Sequence, residues 1–318
     1  MSEAPAAHGI HHVTALASDP QTNLDFYVGT LGLRMVKKSV NQDDPGTYHL
    51  FYADAAGTPG TDVTFFPRRG MAPGRKGTGQ VVEIALAVPA GSLDAYWIDR
   101  LAERGVQREE ETAPFGERTL PFADPDGLSL SLVEIAEDRV FEPWAASGVP
   151  VERQIRGVHA VRIPERAVGP TARLLNEVMG FEELAEDGGW RRFAAGEGSG
   201  AYAELLEAPE RTGGRWGAGI VHHVAWRVRD DEEQVGLRAA VERSGLQPTP
   251  VIDRFWFRSV YFREPGGTLF ELATDGPGFA RDEAQERLGE TLVLPPWLEE
   301  SREEIEAALP ALEVPAGG

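Results

Sequence analysis

The chain has 318 residues, 42% of them hydrophobic, and a formal net charge of −20. That is enough apolar material for one large core or two ordinary ones, and so acidic a surface argues against nucleic acid as a partner, because phosphate binding needs basic groups. With no cysteine, disulfides, iron–sulfur clusters and thiolate zinc sites are excluded, leaving His, Asp and Glu as metal ligands.

In chain order, Ile10-His11-His12-Val13-Thr14-Ala15-Leu16 reads as a strand. A helical stretch over Asn23-Leu24-Asp25-Phe26-Tyr27-Val28 follows and ends near Gly32, since glycine after the last turn is a common stop signal. Strand-like runs then lead to Val63-Thr64-Phe65-Phe66. The basic stretch Arg68-Arg69-Gly70 through Arg75-Lys76-Gly77 reads as a solvated connector. A second unit starts at Val82-Glu83-Ile84-Ala85-Leu86, carries a helix from Ser92 to Gly105 and ends in Leu130-Ser131-Leu132-Val133-Glu134. After a linker from Glu142-Pro143-Trp144 to Pro150, a third begins at Gly157-Val158-His159-Ala160 and ends in Tyr202-Ala203-Glu204-Leu205-Leu206, its helix closing at Gly180. The fourth runs from Val221-His222-His223-Val224-Ala225-Trp226 to Leu269-Phe270-Glu271-Leu272, its helix closing at Gly245. A tail from Arg281 contains an amphipathic helix, Ser301 to Leu309, after a Pro295-Pro296 break, and should pack on the outside.

From first-strand to last-strand position the four units span 52, 51, 45 and 48 residues (12 to 64, 83 to 134, 159 to 204, 223 to 271). Repetition at such a period marks an architecture of stacked units. The expected fold is α+β, with four βαβββ modules paired into two curved-sheet barrels and a C-terminal helical tail. The expected divisions are 8–140, 155–278 and 279–318. No window approaches a transmembrane span. Met1-Ser2-Glu3-Ala4-Pro5 has neither a basic start nor an apolar core, so a cytoplasmic location is expected.

Two His-His pairs, His11-His12 and His222-His223, sit at equivalent repeat positions, and only the fourth unit adds an acid, Glu271. Two imidazoles and one carboxylate with open positions form the ligand set of non-haem Fe(II) oxygen chemistry. A carboxylate inside an apolar strand costs several kcal/mol unless paired or metal-bound. Strand alternation says that one member of each His pair turns inward, but not which. Thr14 shares the face of His12. In Asp253-Arg254-Phe255-Trp256-Phe257-Arg258-Ser259-Val260-Tyr261, Arg254 and Tyr261 read as a substrate clamp and a proton donor, with strand packing as the bland alternative. His49 reads as structural. Glu83, Glu134, His159 and Glu204 fall at the corresponding positions of units two and three; they suit a divalent cation, but a hydrogen-bonded cluster is the favoured reading.

The pattern resembles the vicinal oxygen chelate superfamily of glyoxalase, the bleomycin-resistance proteins and type I extradiol dioxygenases. Within it, the chain is similar to the ring-cleaving dioxygenases that act on hydroquinones. The resemblance rests on Gly9-Ile10-His11-His12-Val13-Thr14, Tyr48-His49-Leu50-Phe51-Tyr52-Ala53-Asp54, Gly57-Thr58-Pro59-Gly60-Thr61, Ile220-Val221-His222-His223, Asp253 through Tyr261, Arg263-Glu264-Pro265-Gly266-Gly267 and Leu294-Pro295-Pro296. It implies His12, His223 and Glu271 as ligands of Fe(II), a preference Mn(II) shares. It also implies His11, Thr14, His222, Arg254 and Tyr261 as the surrounding catalytic groups. Units one and four would form the metal barrel, units two and three the other. The implied substrates are a small aromatic diol and O2; a homo-oligomer is left open. A catechol extradiol dioxygenase is the nearest rival. A glyoxalase-like isomerase wants a second Glu where this chain has Thr64, and a metal-free binding protein leaves the buried His and Glu unexplained.

Overall fold

The computed structural model describes residues 5–137, 139–196 and 200–314. The Met1-Ser2-Glu3-Ala4 stretch read above for a leader and the last four residues of the tail lie outside them. Unit one consists of β1 (Ile10–Ala17), α1 (Pro20–Leu24) running on through a π-helical turn to Thr30, β2 (Arg34–Asn41), β3 (Asp44–Ala53) and β4 (Asp62–Pro67). Helix α1 starts where it does because the Asp19 carboxylate accepts the Thr22 N–H at 2.9 Å and Pro20 follows at the first helical position. The chain leaves that helix at Gly32, whose φ is +73° and whose absent Cβ would lie 2.4 Å from Val149; glycine is required there on both counts.

Unit two holds β5 (Glu83–Pro89), α2 (Ile98–Glu103), β6 (Thr119–Ala123) and β7 (Ser129–Ile135). Where the repeat calls for one more strand, only the isolated bridges Arg108↔Phe122 and Thr112↔Thr119 remain among the described residues. Glu109-Glu110-Glu111 offers no apolar alternation to bury, and Pro114 follows soon after. Unit three has β8 (Val158–Glu165), α3 (Val168–Arg173), β9 (Glu182–Asp187), β10 (Trp190–Ala194) and β11 (Tyr202–Glu207). Unit four has β12 (Ile220–Val228), α4 (Asp231–Arg243), β13 (Ile252–Asp253), β14 (Arg258–Arg263) and β15 (Leu269–Thr274), and α5 (Arg302–Ala308) lies in the tail.

Units one and four share an eight-stranded sheet, β13-β14-β15-β12-β1-β4-β3-β2; units two and three share a seven-stranded sheet, β6-β7-β5-β8-β11-β10-β9. The junction of the first sheet is the antiparallel pair β1–β12, flanked by the parallel pairs β1–β4 and β12–β15. Registers there set the site. Thr14 stands opposite His223 on one side and Thr64 on the other, Phe51 is opposite Thr64, and Glu271 lies between Ala225 and Tyr261. Side chains directly opposite share a face, so His12, Thr14, Thr64, Phe51, His223, Glu271 and Tyr261 all project to the concave side. One continuous apolar core, including Trp97, Trp226, Phe193 and Phe270, packs the two sheets against their helices.

The tail is strapped to the rim of the first sheet. Lys37 is fully buried, and its ammonium donates to the Phe279 carbonyl (3.0 Å), Asp282 (2.8 Å) and Glu283 (2.5 Å). An ammonium out of water is tolerated only with such partners. Trp256 Nε1 donates to the same Asp282 carboxylate, so the strap also orients an aromatic wall of the concave cavity. Leu294 and Ile305 complete the attachment against Val40.

Candidate active site

His12 on β1, His223 on β12 and Glu271 on β15 converge at the centre of the concave face. The two Nε2 atoms are 3.2 Å apart, and Glu271 Oε2 lies 3.5 Å from His12 Nε2 and 3.0 Å from His223 Nε2. All three residues are buried. Three donors at such mutual distances are what a single ion gathers when each stands about 2.0–2.2 Å from it. Oε2 faces only the two imidazoles, whereas Oε1 accepts a 2.5 Å bond from the Ser259 hydroxyl. Burial by itself favours the neutral acid, but His12 and His223 outweigh it and hold Glu271 well below the usual carboxylate range. The residues present therefore fit a divalent cation, and among the described residues no other His, Asp and Glu group converges in this way.

The neighbouring histidines back His12 and His223. His11 Nδ1 lies 2.9 Å from His12 Nδ1, and His222 Nδ1 lies 2.7 Å from His223 Nδ1. Strict alternation would put each pair on opposite faces. A bulge intervenes in both cases: Ile10 and His12 face Trp226 and Ala225, leaving His11 extra, while Thr14 and Ala15 face His223 and Val221, leaving His222 extra. The bulge turns each extra ring toward its neighbour. Burial, then the adjacent histidine, push both His11 and His222 down to about 3, so both are neutral imidazoles. A neutral Nδ1 can accept the Nδ1–H of His12 or His223, which leaves the Nε2 lone pair of that ring free to face the point where His12, His223 and Glu271 converge.

A small cavity of about 40 Å³ opens on His12 and His223. Phe51, Phe66, Trp256 and Phe257 form its walls. Arg254, Tyr261 and His49 supply polar groups, and the β2–β3 turn at Asn41-Gln42-Asp43 forms its rim. Arg254 is clamped by Asp43 at 2.8 Å, and its guanidinium lies 5.4 Å from the centre of the Tyr261 ring. Burial raises the Tyr261 hydroxyl above its ordinary value, and the Glu271 charge adds to this, so it stays a hydrogen-bond donor. His11, His222 and Thr14 are not among the residues lining the cavity. His222 is instead sandwiched between Trp216 and Phe66, and the Thr14 hydroxyl bonds that of Thr64 at 2.7 Å. Sequence reasoning gave Ser259 no role and read His49 as structural, yet the structure sets Ser259 against Glu271 and His49 in the cavity wall. Each alternates with a cavity residue on its strand, Tyr261 and Phe51, but that signal acquires meaning only with the strand register.

Both the sequence and the fold have known relatives. The family model described as the Glyoxalase/Bleomycin resistance protein/Dioxygenase superfamily matches residues 9–132. The chain is 42% identical over 313 residues to the Bacillus subtilis (strain 168) protein named "Putative ring-cleaving dioxygenase MhqA", covering 96% of this chain and 99% of that one. The chain belongs to the glyoxalase/bleomycin resistance/dioxygenase superfamily. Another superfamily relative, the chlorohydroquinone/hydroquinone 1,2-dioxygenase of Sphingobium indicum, is 35% identical over 307 residues, with 93% of this chain and 94% of that one covered. A crystal structure of a Bacillus subtilis protein titled "putative dioxygenase" superposes with a TM-score of 0.93 at 42% identity, covering 98% of this chain and 99% of that one.

The other pair of units in this superfamily chain has no metal cluster among the described residues. Arg162 bridges Glu83 (3.0 Å) and Glu204 (2.8 Å), and Arg192 bridges Glu204 (2.6 Å) and Glu117 (2.6 Å). His159 bonds Glu117 at 3.1 Å, and Glu134 turns aside to accept the Leu93 N–H. Two guanidiniums supply the positive charge that a cation would bring. The position equivalent to Glu271 in the second sheet is thus committed to an internal ion-pair network.

Proposed function

We propose that this chain is a cytoplasmic, Fe(II)-dependent ring-cleaving dioxygenase that opens a hydroquinone-type aromatic ring with O2. The observation that carries the reading is the convergence of His12, His223 and Glu271 on one point at the end of an aromatic-walled cavity. Two neutral imidazoles and one carboxylate would leave a bound Fe(II) with one net positive charge and open positions. When bound, Fe(II) supplies a route for an electron from an electron-rich diol to O2 held beside it. The chain's own residues do the rest. Phe51, Phe66, Trp256 and Phe257 provide flat apolar walls for an arene and keep bulk water out. Arg254 stays cationic, as a guanidinium does at any ordinary pH, with Asp43 at 2.8 Å beside it, and offsets the charge of a phenolate. Tyr261 holds its proton and can donate to a substrate oxygen. The names of the relatives support this class of reaction, and the hydroquinone enzyme among them supports the substrate.

Purification under anaerobic conditions, followed by metal analysis and O2-uptake measurements, tests the proposal. The expected result is about one iron per chain, with O2 consumption and loss of aromatic absorbance on adding hydroquinone. Uptake with catechol alone would assign the enzyme to the catechol class, and manganese in place of iron would correct the metal. A metal-free protein that consumes no O2 with either diol after Fe(II) is supplied would overturn the reading.

A further inference from the structure

Units one and four are related by a pseudo-twofold axis through the β1–β12 junction, and that symmetry exposes a substitution. On β15, Glu271 lies opposite Tyr261 of β14, and Ser259, two residues earlier, bonds the Glu271 carboxylate. On β4, Thr64 lies opposite Phe51 of β3, and His49, two residues earlier, bonds the Thr64 hydroxyl at 2.9 Å. Thr64 thus stands where the symmetry would place a second carboxylate, and His49 stands where Ser259 supports the first. That corner holds a chain of bonds, from Thr14 Oγ to Thr64 Oγ (2.7 Å) and on to His49 Nε2. The His49 ring is fixed further by Phe51 and Phe66, with ring centres at 3.8 and 4.4 Å. Nε2 is the nitrogen committed to Thr64, so Nδ1 is the one that can meet a ligand in the cavity His49 lines.

We propose that His49, oriented by Thr14 and Thr64, hydrogen-bonds the second hydroxyl of the aromatic diol and so selects diols whose hydroxyls cannot both reach the metal. The inference rests on the reading of this cavity as a diol site. A hydroquinone bound to the metal through one oxygen carries its other hydroxyl to the far side of the ring. With Arg254 and Tyr261 serving the phenolate oxygen, the remaining wall of Phe51, Phe66, Trp256 and Phe257 would desolvate that hydroxyl without replacing its bond to water. A polar group preset in the wall removes the penalty, and His49 meets that need between two of the aromatic side chains. Thr14 acts at one remove, as a positioning residue.

The test compares binding of hydroquinone and phenol to anaerobic, Fe(II)-loaded protein by isothermal titration, with wild type, His49→Leu, His49→Gln and Thr14→Val. Metal content and circular dichroism establish that each variant is folded and loaded. The wild type should bind hydroquinone more tightly than phenol. His49→Leu should lose about tenfold in hydroquinone affinity and little for phenol. His49→Gln should recover part of the loss, and Thr14→Val should show a smaller loss of the same sign. Equal discrimination by wild type and His49→Leu would overturn the role of His49 while leaving the diol site standing. A wild type that binds neither compound would remove the diol site itself, and the inference with it. Should His49→Leu not fold, failure of the folded His49→Gln and Thr14→Val variants to differ from wild type in discrimination would overturn it equally.

Discussion

Replacing Ser259 with alanine tests whether Glu271, the proposed carboxylate ligand, is held in place by its neighbour. The Ser259 hydroxyl and the Glu271 carboxylate are both fully buried, and the 2.5 Å separation is that of a charge-assisted bond. Such a bond contributes about 1.5–3 kcal/mol. In the metal-free protein, Oε2 still faces His12 and His223, so part of the loss falls on fold stability. The remainder falls on metal affinity, because Oε1 is no longer anchored and the carboxylate must be re-fixed on binding. Loss of such a supporting partner weakens metal binding by about ten- to a hundredfold. A chelator competition titration with Mn(II) or, anaerobically, Fe(II) measures the change, and circular dichroism establishes that Ser259→Ala is folded. A folded Ser259→Ala protein with wild-type metal affinity, alongside a Glu271→Gln protein that has lost it, would refute the argument that Ser259 positions the ligand.

His223→Ala should abolish iron retention, whereas His222→Ala should keep iron, bind it less tightly and turn over more slowly; metal analysis of both variants checks this, and the reverse outcome would show that the wrong member of the pair was assigned to the metal. Asp43→Asn should loosen Arg254 at the rim of the cavity and raise KM for the diol, with under about 1 kcal/mol of stability lost, because the Asp43 side chain is 74% exposed; steady-state kinetics and a denaturant titration separate the two effects. At the end of β8, burial and then the neighbouring Glu264 charge raise the Glu165 carboxyl well above the usual range. A raised folded pKa makes a contribution that is full below the unfolded value and is lost as pH rises through the folded one. The Tm of the wild type should therefore fall as pH climbs above the ordinary carboxylate range, and that of Glu165→Gln should fall less; identical slopes would refute the assignment.

The local pattern carried much of this fold. The four first strands, the closing glycines and the near-constant period declare a repeat, and a βαβββ unit leaves an apolar face that only another unit can cover. The exception is instructive: unit two has nothing apolar over Glu109-Glu110-Glu111 to bury, and there the extra strand shrinks to isolated bridges. The residue types of a candidate metal centre are also legible, since a Glu amid Leu269, Phe270 and Leu272 demands a partner.

Other features were decided only in three dimensions. Alternation along a single strand cannot say how His11 and His222 relate to their neighbours, because the bulges that turn their rings depend on where β1 and β12 pair. Residue types alone leave Glu83, Glu134, His159 and Glu204 open to a cation as well as to the favoured hydrogen-bonded cluster; Arg162 from β8 and Arg192 from β10 supply the compensating charge. His49 and Ser259 looked like ordinary strand residues until the β3–β4 and β14–β15 registers set them beside Thr64 and Glu271. The physical reason is the same in each case. Propensity and periodicity are properties of neighbours in sequence, whereas charge compensation, hydrogen bonding and ligand convergence depend on distances between residues brought together from as far apart as β1 and β15.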